Sequence, residues 1–171
     1  RDFMNPGTFA AMIRDANPKD ALRIAEIYNY YIANTTVTFE EDPVSADIMV
    51  GRITEVQDKY PWLVYEQDGK VIGYAYAGTW KSRCAYRYSV ETSVYLENGL
   101  SRNGIGSALY SELLVRLKTL DLHGIIGGMA LPNDECVALH KKFGFEQVAH
   151  FKEVGFKFNK WIDVAYFEKI L

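Results

Sequence analysis

The sequence predicts an α+β fold in which a mixed central sheet is flanked by helices. The first observation is a series of three alternating apolar segments, 62–66, 71–77 and 86–96, which is typical of neighbouring strands. The second is the Asp68-Gly69 pair, which favours a tight hairpin between the first two segments. The third is the nearly continuous apolar run 123–130, which indicates a strand buried on both faces.

The first part of the chain predicts one short strand and two helices. Residues 12–16 form a candidate edge strand. Asn17 is a typical N-cap, and Pro18 suits the first helical position, so a helix is expected from here to about Asn34. Apolar residues at helical spacing predict a second helix over 45–59.

The segment 35–43 between these helices is irregular and polar, with Phe39 inside it. One interpretation is a surface loop that packs Phe39 into the core. The other is a substrate loop, since loops on rigid scaffolds often carry specificity.

The second half of the chain predicts the remaining elements. The expected elements are helices over 105–120 and 135–143 and strands over 145–151 and 161–170. Asn133 or Asp134 is the expected cap of the shorter helix, and Gly144 is the glycine that ends it.

Length and composition limit the class of protein. A chain of 171 residues favours one domain, which we expect over 12–171, whereas residues 1–11 lack periodicity and are expected to be a tail or a vector-derived segment. The net charge of −3 gives no electrostatic case for a nucleic-acid partner. No apolar run approaches the roughly 20 residues of a membrane span. Two cysteines, Cys84 and Cys136, favour a reduced cytoplasmic protein, and the sequence has no clustered ligand set for a metal.

The stretch 89–109 predicts a strand, a polar turn, a glycine-bearing loop and the first turn of a helix. Backbone N–H groups at such a helix start have no partner inside the helix, and the helix dipole makes that end positive. Gly104 and Gly106 let a ligand approach the backbone closely. The simplest use of this arrangement is to hold a phosphate or pyrophosphate.

The run Ser101-Arg102-Asn103-Gly104-Ile105-Gly106 resembles the Arg/Gln-x-x-Gly-x-Gly/Ala signature of the GNAT superfamily of acetyl-CoA-dependent N-acetyltransferases. Ser101 stands where the signature has Arg or Gln, so the resemblance implies a cradle that relies on backbone N–H groups. An ordered set of motifs is similar to the phosphinothricin/methionine sulfoximine acetyltransferase group: Thr35-Thr36-Val37-Thr38-Phe39, Val90-Glu91-Thr92-Ser93-Val94-Tyr95, Leu139-His140, Gly144-Phe145 and 154–164. The resemblance implies a GNAT fold, acetyl-CoA as co-substrate, the α-amino group of a small amino acid as acceptor, and a homodimer.

The resemblance also implies which residues hold acetyl-CoA. In the superfamily, the strand before the glycine loop splays from the next parallel strand and offers main-chain groups to the pantetheine arm. This implies contacts at Val94 and Leu96, with the N–H of Val94 as a candidate oxyanion donor. Asn133 matches a cofactor-contacting asparagine of the group, and it could equally be a helix cap. The expected pyrophosphate loop consists of Arg102, Asn103, Gly104, Ile105, Gly106 and Ser107.

Two side chains are candidates for catalysis. Glu91 is the first, because a glutamate inside an apolar strand needs a partner or a pocket, and the group has its proposed general base at this position. The alternative is an edge glutamate paired with Arg83 or Arg87. His140 is the second, since it stands where many GNAT proteins have a tyrosine proposed as general acid; the alternative is a partly buried polar residue. Cys136 lacks the Cys-His-Asp pattern of a covalent mechanism.

The acceptor pocket is predicted less sharply. Each candidate residue could equally serve packing or the surface: Phe39, Trp80, Arg83, Tyr86 and Phe158. An arginine suits a substrate carboxylate because its fork can bind both oxygens. Two other functions stay open. One is a GNAT enzyme acting on a polyamine, an aminoglycoside or a protein N-terminus, with the acidic run 40–42 near the acceptor. The other is a non-catalytic acyl-CoA-binding sensor.

Overall fold

The structure is a computed structural model that describes residues 11–101 and 103–171. Within these residues, seven strands form one mixed sheet in the order β1-β2-β3-β4-β5-β7-β6. The strands are β1 (Met12–Asp15), β2 (Trp62–Gln67), β3 (Lys70–Thr79), β4 (Ser89–Leu96), β5 (Gly124–Ala130), β6 (Glu146–Lys157) and β7 (Lys160–Ile170). Every neighbouring pair is antiparallel except β4 and β5. The prediction of an α+β fold with a mixed sheet is confirmed.

Helices cover both faces of this sheet. The α-helices in the described part of the chain are α1 (Ala21–Asn34), α2 (Ala46–Gln57), α3 (Ile105–Leu117) and α4 (Asp134–Lys142). On one face, α1 and α2 bury a core that includes Ile24, Ile53 and Tyr74. On the other face, α3 packs Leu109 and Leu113 over β3 and β4, in a core that also takes in residues from β5 and β7. No helix among these residues has the length and apolarity needed to cross a membrane.

The turns and caps follow local chemistry, and most were predictable. Asn17 caps a short 3-10 helix that leads into α1, and its main-chain N–H donates to the Asp20 carboxylate as the second half of a capping box. Asp68 and Gly69 both have positive φ, as a tight hairpin with the right twist requires. Asn133 caps α4 through its side chain.

Some boundaries differ from the prediction, each for a local reason. The strand expected from residue 86 begins at Ser89, because Cys84–Tyr86 form a 3-10 turn and Tyr86 belongs to that turn. The helix expected to reach residue 120 ends at Leu117. The strand expected over 145–151 continues to Lys157, with an irregular register between Phe151 and Gly155. The tail expected at 1–11 lies outside the described residues, apart from residue 11.

Candidate active site

The sheet opens between its two parallel strands. β4 pairs with β5 at Ser89–Gly124, Val90–Ile125 and Glu91–Ile126, and the described residues show no pairing of these strands beyond Glu91. On its other edge, β4 stays paired with β3 up to Leu96. The carboxyl-terminal half of β4 therefore has one edge free of a neighbouring strand.

The main-chain groups on that free edge can be assigned from the register. The N–H of Glu97 donates to the carbonyl of Ile72, which makes these residues a hydrogen-bonded pair of the β3–β4 ladder. Hydrogen-bonded and non-hydrogen-bonded pairs alternate along an antiparallel ladder. Val94 and Leu96 are then in non-hydrogen-bonded positions, and their N–H and C=O groups point away from β3 into the opening. The Leu96 carbonyl accepts a hydrogen bond there from the Tyr31 hydroxyl.

A cleft of about 680 Å³ extends from this opening. Its walls are the end of β4, the loop after it, the first turn of α3 and one side of α4. Six of the predicted cofactor residues line it: Val94, Leu96, Gly104, Gly106, Ser107 and Asn133. Ile105, the first residue of α3, is buried in the core, and Asn103 is exposed without lining the cleft. Arg102 lies outside the described residues.

The start of α3 is suited to an anion. Gly104 is its N-cap and has a φ of 76°, a left-handed conformation that favours glycine. Gly104 provides no side-chain cap, and the first N–H that bonds within the helix is that of Ala108. The preceding N–H groups at this positive helix end therefore have no partner inside the helix and are available to a phosphate. These residues fit the pyrophosphate of acetyl-CoA.

Asn133 combines two features at the opposite wall. Its side-chain oxygen accepts the N–H of Cys136 at 3.1 Å, which is the expected helix cap. The same residue lines the cleft. The cap and a ligand contact are therefore compatible in this geometry.

Glu91 is the last residue of β4 that pairs with β5, so it lies where the sheet opens. Its side chain is half-buried, and burial raises the pKa of the carboxyl above its usual range, while the charge of Lys81 opposes the shift. Neither Arg83 nor Arg87 forms an ion pair with it among the described residues. Arg87 instead donates to the Cys84 carbonyl. A carboxyl with a raised pKa at this position is suited to accept a proton near neutral pH.

Two tyrosine side chains lie within electrostatic reach of Glu91. Burial raises the pKa of the Tyr166 hydroxyl, and the charge of Glu91 adds to this shift, so the two side chains lie within electrostatic reach. The ring of Trp80 meets Tyr166 edge-on with 5.3 Å between centroids. Burial also raises the pKa of the Tyr76 hydroxyl, and the charge of Glu91 makes a smaller contribution in the same direction. The structure thus brings Trp80 to the Glu91 region.

The other predicted acceptor residues are exposed side chains. Phe39 does not enter the core; its ring lies against Gly155, where an added Cβ would come within 2.4 Å of it. Phe158 is exposed at the β6–β7 turn, and its positive φ shows that it belongs to that turn. Arg83 precedes the 3-10 turn and Tyr86 ends it, and both side chains are exposed.

His140 lies behind the cleft rather than in it. The side chain is 3% exposed, and both ring nitrogens are engaged. Nδ1 lies 2.7 Å from the Cys136 carbonyl, which can only accept, so Nδ1 carries the proton. Nε2 then accepts from the Tyr110 hydroxyl at 3.0 Å, and that hydroxyl meets Thr92 Oγ1 at 2.7 Å. Burial lowers the pKa of the imidazole, which favours the neutral ring.

Cys136 lines the cleft, and its Sγ lies 3.6 Å from His140 Nδ1. That nitrogen already donates to the Cys136 carbonyl, so it is not free to take the thiol proton. Burial raises the pKa of the thiol to about 11. A neutral thiol is a poor nucleophile, and the geometry gives no support to a covalent acetyl-enzyme.

Residues to which the sequence analysis assigned no role in the site complete the cleft. Tyr31 and Val37 come from α1 and the loop after it, and Leu139 and Lys142 come from α4. Helical periodicity assigns Tyr31 to the apolar face of α1, and it indicates no role for Lys142. What identifies these residues is that they lie near β4 in the folded chain, and a single sequence does not show this.

Comparison with known proteins confirms the resemblance to the GNAT family. The acetyltransferase (GNAT) domain family matches residues 13–166. The chain is 36% identical to a phosphinothricin N-acetyltransferase of Streptomyces viridochromogenes, over 97% of this chain and 91% of that protein. It is 32% identical to an L-methionine sulfoximine/L-methionine sulfone acetyltransferase of Salmonella typhimurium, over 91% of this chain and 92% of that protein.

A solved structure agrees in fold. The phosphinothricin acetyltransferase of Sinorhizobium meliloti, a GNAT protein in complex with acetyl-CoA, superposes with a TM-score of 0.91 at 38% identity, covering 95% of this chain and 89% of that one. The opened sheet, the main-chain edge of β4 and the cradle of α3 define an acyltransferase of the GNAT type. The chain belongs to the GNAT acetyltransferase family and is an N-acetyltransferase related to the phosphinothricin and methionine sulfoximine acetyltransferases.

Proposed function

We propose that this enzyme transfers the acetyl group of acetyl-CoA directly to the α-amino group of a small amino acid or analogue. Phosphinothricin, methionine sulfoximine and methionine sulfone are the expected acceptors. The observation that carries the proposal is Glu91, a half-buried carboxyl with a raised pKa at the point where β4 leaves β5. The acetyl-CoA complex of a relative and the names of other relatives support it.

The chemistry follows from the placement of these groups. Acetyl-CoA supplies a thioester carbonyl, which the amine attacks as the C–S bond breaks and the sulfur leaves as a thiolate. Glu91 accepts the amine proton, directly or through water, and the N–H of Val94 stabilises the oxyanion that develops. The amides at the start of α3 hold the pyrophosphate, so the two ends of the cleft orient the reactants.

His140 has a different role in this proposal from that of a general acid. A ring that is 3% exposed, with both nitrogens hydrogen-bonded, does not reach a leaving thiolate. Through Tyr110 it holds Thr92, which is buried in β4 one residue beyond the last β5 pair. We assign His140 to positioning the opened strand. A thiolate needs no enzymic acid at neutral pH if water protonates it after it leaves.

The direct test combines an acceptor screen with one substitution. Thiol release from acetyl-CoA is measured with phosphinothricin, methionine sulfoximine and methionine sulfone, and turnover is expected with at least one. Glu91→Gln is expected to lower turnover strongly at neutral pH and less at high pH, whereas Glu55→Gln, an exposed carboxylate on α2, leaves it unchanged. A Glu91→Gln enzyme with the wild-type pH–rate profile would remove Glu91 as the base. Absence of turnover with every amino-acid-like acceptor would refute the substrate class.

A homodimer is also part of the proposal. The β6–β7 hairpin exposes at least half of each of seven apolar side chains: Val148, Phe151, Val154, Phe156, Phe158, Trp161 and Ile170. A concentration of exposed apolar side chains on one hairpin indicates an interaction site, and the same surface on two copies suits a two-fold dimer. Light scattering is expected to give twice the chain mass. Trp161→Glu should shift the protein to monomer and Val115→Glu, exposed on α3, should not; a monomeric wild type would end this proposal.

One carboxylate of the acidic run, that of Glu40, gives no support to the polyamine and aminoglycoside alternatives. Glu40 of the acidic run is bound by Arg52 through two hydrogen bonds of 2.8 and 2.6 Å, and Tyr28 also donates to it. This carboxylate is therefore neutralised rather than presented to a cationic acceptor.

A further inference from the structure

We propose that Lys157 is a positioning residue for the acceptor, because its ammonium fixes the loop 35–40 that lies between the acetyl-CoA cleft and the β6–β7 hairpin. Lys157 is in the last position of β6 and is 2% exposed. Its Nζ donates to the carbonyls of Thr35 and Thr38, each at 2.8 Å. The inference rests on the proposed function and adds a residue that acts through the loop, without touching substrate.

The loop needs such support because its backbone has little of its own. Among the described residues, no backbone group of 36–43 pairs with another backbone group. Its apolar side chains are also outside the core, since Val37 and Phe39 are both exposed by more than a third. A segment with few buried contacts and few backbone hydrogen bonds opens at low free energy unless side chains hold it.

Side chains from three elements do hold it. Tyr28 of α1 meets Thr38 Oγ1 at 2.7 Å, and Arg52 of α2 binds Glu40. Lys157 provides the contacts from β6, and it binds main-chain groups of the loop at two positions. Burial of an ammonium group is unfavourable unless hydrogen-bond acceptors replace the lost water. The two carbonyls provide this replacement, so the Lys157 contacts are the least replaceable of the set.

The position of the loop links it to both substrates. Val37 lines the acetyl-CoA cleft, and Phe39 lies on Gly155 of the hairpin. Glu40 and Glu91 both influence the pKa of Tyr76, so the loop and the proposed base lie within electrostatic reach of one side chain. The loop therefore borders the cleft at Val37 and the β6–β7 hairpin at Phe39. Its location determines the space that is left for an acceptor.

Lys157→Met tests this role, because methionine keeps the aliphatic chain and removes the donors. Lys160→Met, an exposed lysine of the same hairpin, is the matched control. Three quantities are measured: hydrogen exchange of the amides of 36–42, the dissociation constant of acetyl-CoA by calorimetry, and KM for methionine sulfone. For Lys157→Met we expect exchange at least tenfold faster and KM at least tenfold higher, with acetyl-CoA affinity within about threefold of wild type. Lys160→Met is expected to change none of them.

The outcomes separate the possible failures. Unchanged exchange and unchanged KM in folded Lys157→Met would overturn the proposal. Equal losses of acetyl-CoA affinity, KM and thermal stability would also overturn it, since they indicate a general structural role. If methionine sulfone is not an acceptor for the wild type, the proposed substrate is wrong, and the exchange arm still decides whether Lys157 holds the loop.

A rescue experiment covers a variant that folds poorly. Lys157→Ala removes the equivalent of propylamine, so added propylammonium should slow exchange of 36–42 back towards the wild-type rate. Tetramethylammonium, which has no N–H donor, should not. Equal effects of the two cations would contradict an ammonium that acts by donating to Thr35 and Thr38.

Discussion

Replacing Gly127 with alanine tests the location of His140 in the core. Gly127 lies in β5, and a Cβ added there would come within 2.2 Å of His140 Nε2 and 2.6 Å of Cδ2. Ordinary contact begins near 3.4 Å, so the ring would have to move by about 1.2 Å. Its hydrogen bonds to Tyr110 and to the Cys136 carbonyl oppose that movement.

The magnitude follows from two costs. Overpacking a core costs about 1–3 kcal/mol, and loss of a buried hydrogen bond costs about 1–3 kcal/mol. We therefore expect Gly127→Ala to lower the free energy of unfolding by about 3 kcal/mol, which corresponds to a fall in Tm of about 6–12 °C for a chain of this length.

Urea unfolding and differential scanning calorimetry measure this change. Gly78→Ala in β3 is the control, because a Cβ there meets nothing within 4 Å, and its Tm should stay close to that of wild type. In a His140→Ala background, the methyl group added at position 127 enters the space left by the ring, so the second substitution should cost little. A Gly127→Ala protein as stable as wild type, or equal costs in both backgrounds, would show that His140 does not occupy this position.

Three further predictions concern the site and its supports. Lys81→Met should move the acidic limb of the kcat/KM profile to higher pH, because the Lys81 charge lowers the Glu91 pKa and the base is active only when deprotonated. An acidic limb that stays in place or moves to lower pH would contradict this. Tyr110→Phe removes a hydroxyl shared by Thr92 and His140, so urea unfolding should report a loss of about 1–3 kcal/mol, against no change for Tyr88→Phe at the surface. Asn133→Ala should lower stability by about 1 kcal/mol and weaken acetyl-CoA binding. Asn133→Ser should restore the cap and hence the stability, but not the affinity for acetyl-CoA. If Asn133→Ser restores both the stability and the affinity, the residue acts as a cap alone.

Elements and turns could be predicted because their causes are local. The Asp68-Gly69 hairpin depends on two adjacent residues that adopt positive φ, and the cap at Asn17 depends on its immediate neighbours. The glycine-bearing start of α3, with its free amides, belongs to the same class. Its amides come from consecutive positions at the start of α3, so a short motif carries the whole feature.

The environments of His140 and Lys157 could not be predicted in this way. The spacing of α4 does not tell which side of the helix faces the cleft, and the burial of His140 depends on the bare backbone of Gly127 in another element. Lys157 ends a strand with many exposed side chains, where a lysine is expected to reach solvent. Its burial depends on carbonyls of Thr35 and Thr38, more than one hundred residues earlier in the chain.

The free edge of β4 has a consequence for how this enzyme tolerates mutation. Because the N–H and C=O groups of Val94 and Leu96 are common to almost all amino acids, side-chain changes at these positions leave the groups that face the opening in place. Proline is the exception, since it has no N–H to offer. In the proposed function these groups bind the acyl arm, so that binding would persist while the sequence drifts, and new acceptors would be selected by changing the surrounding loops alone.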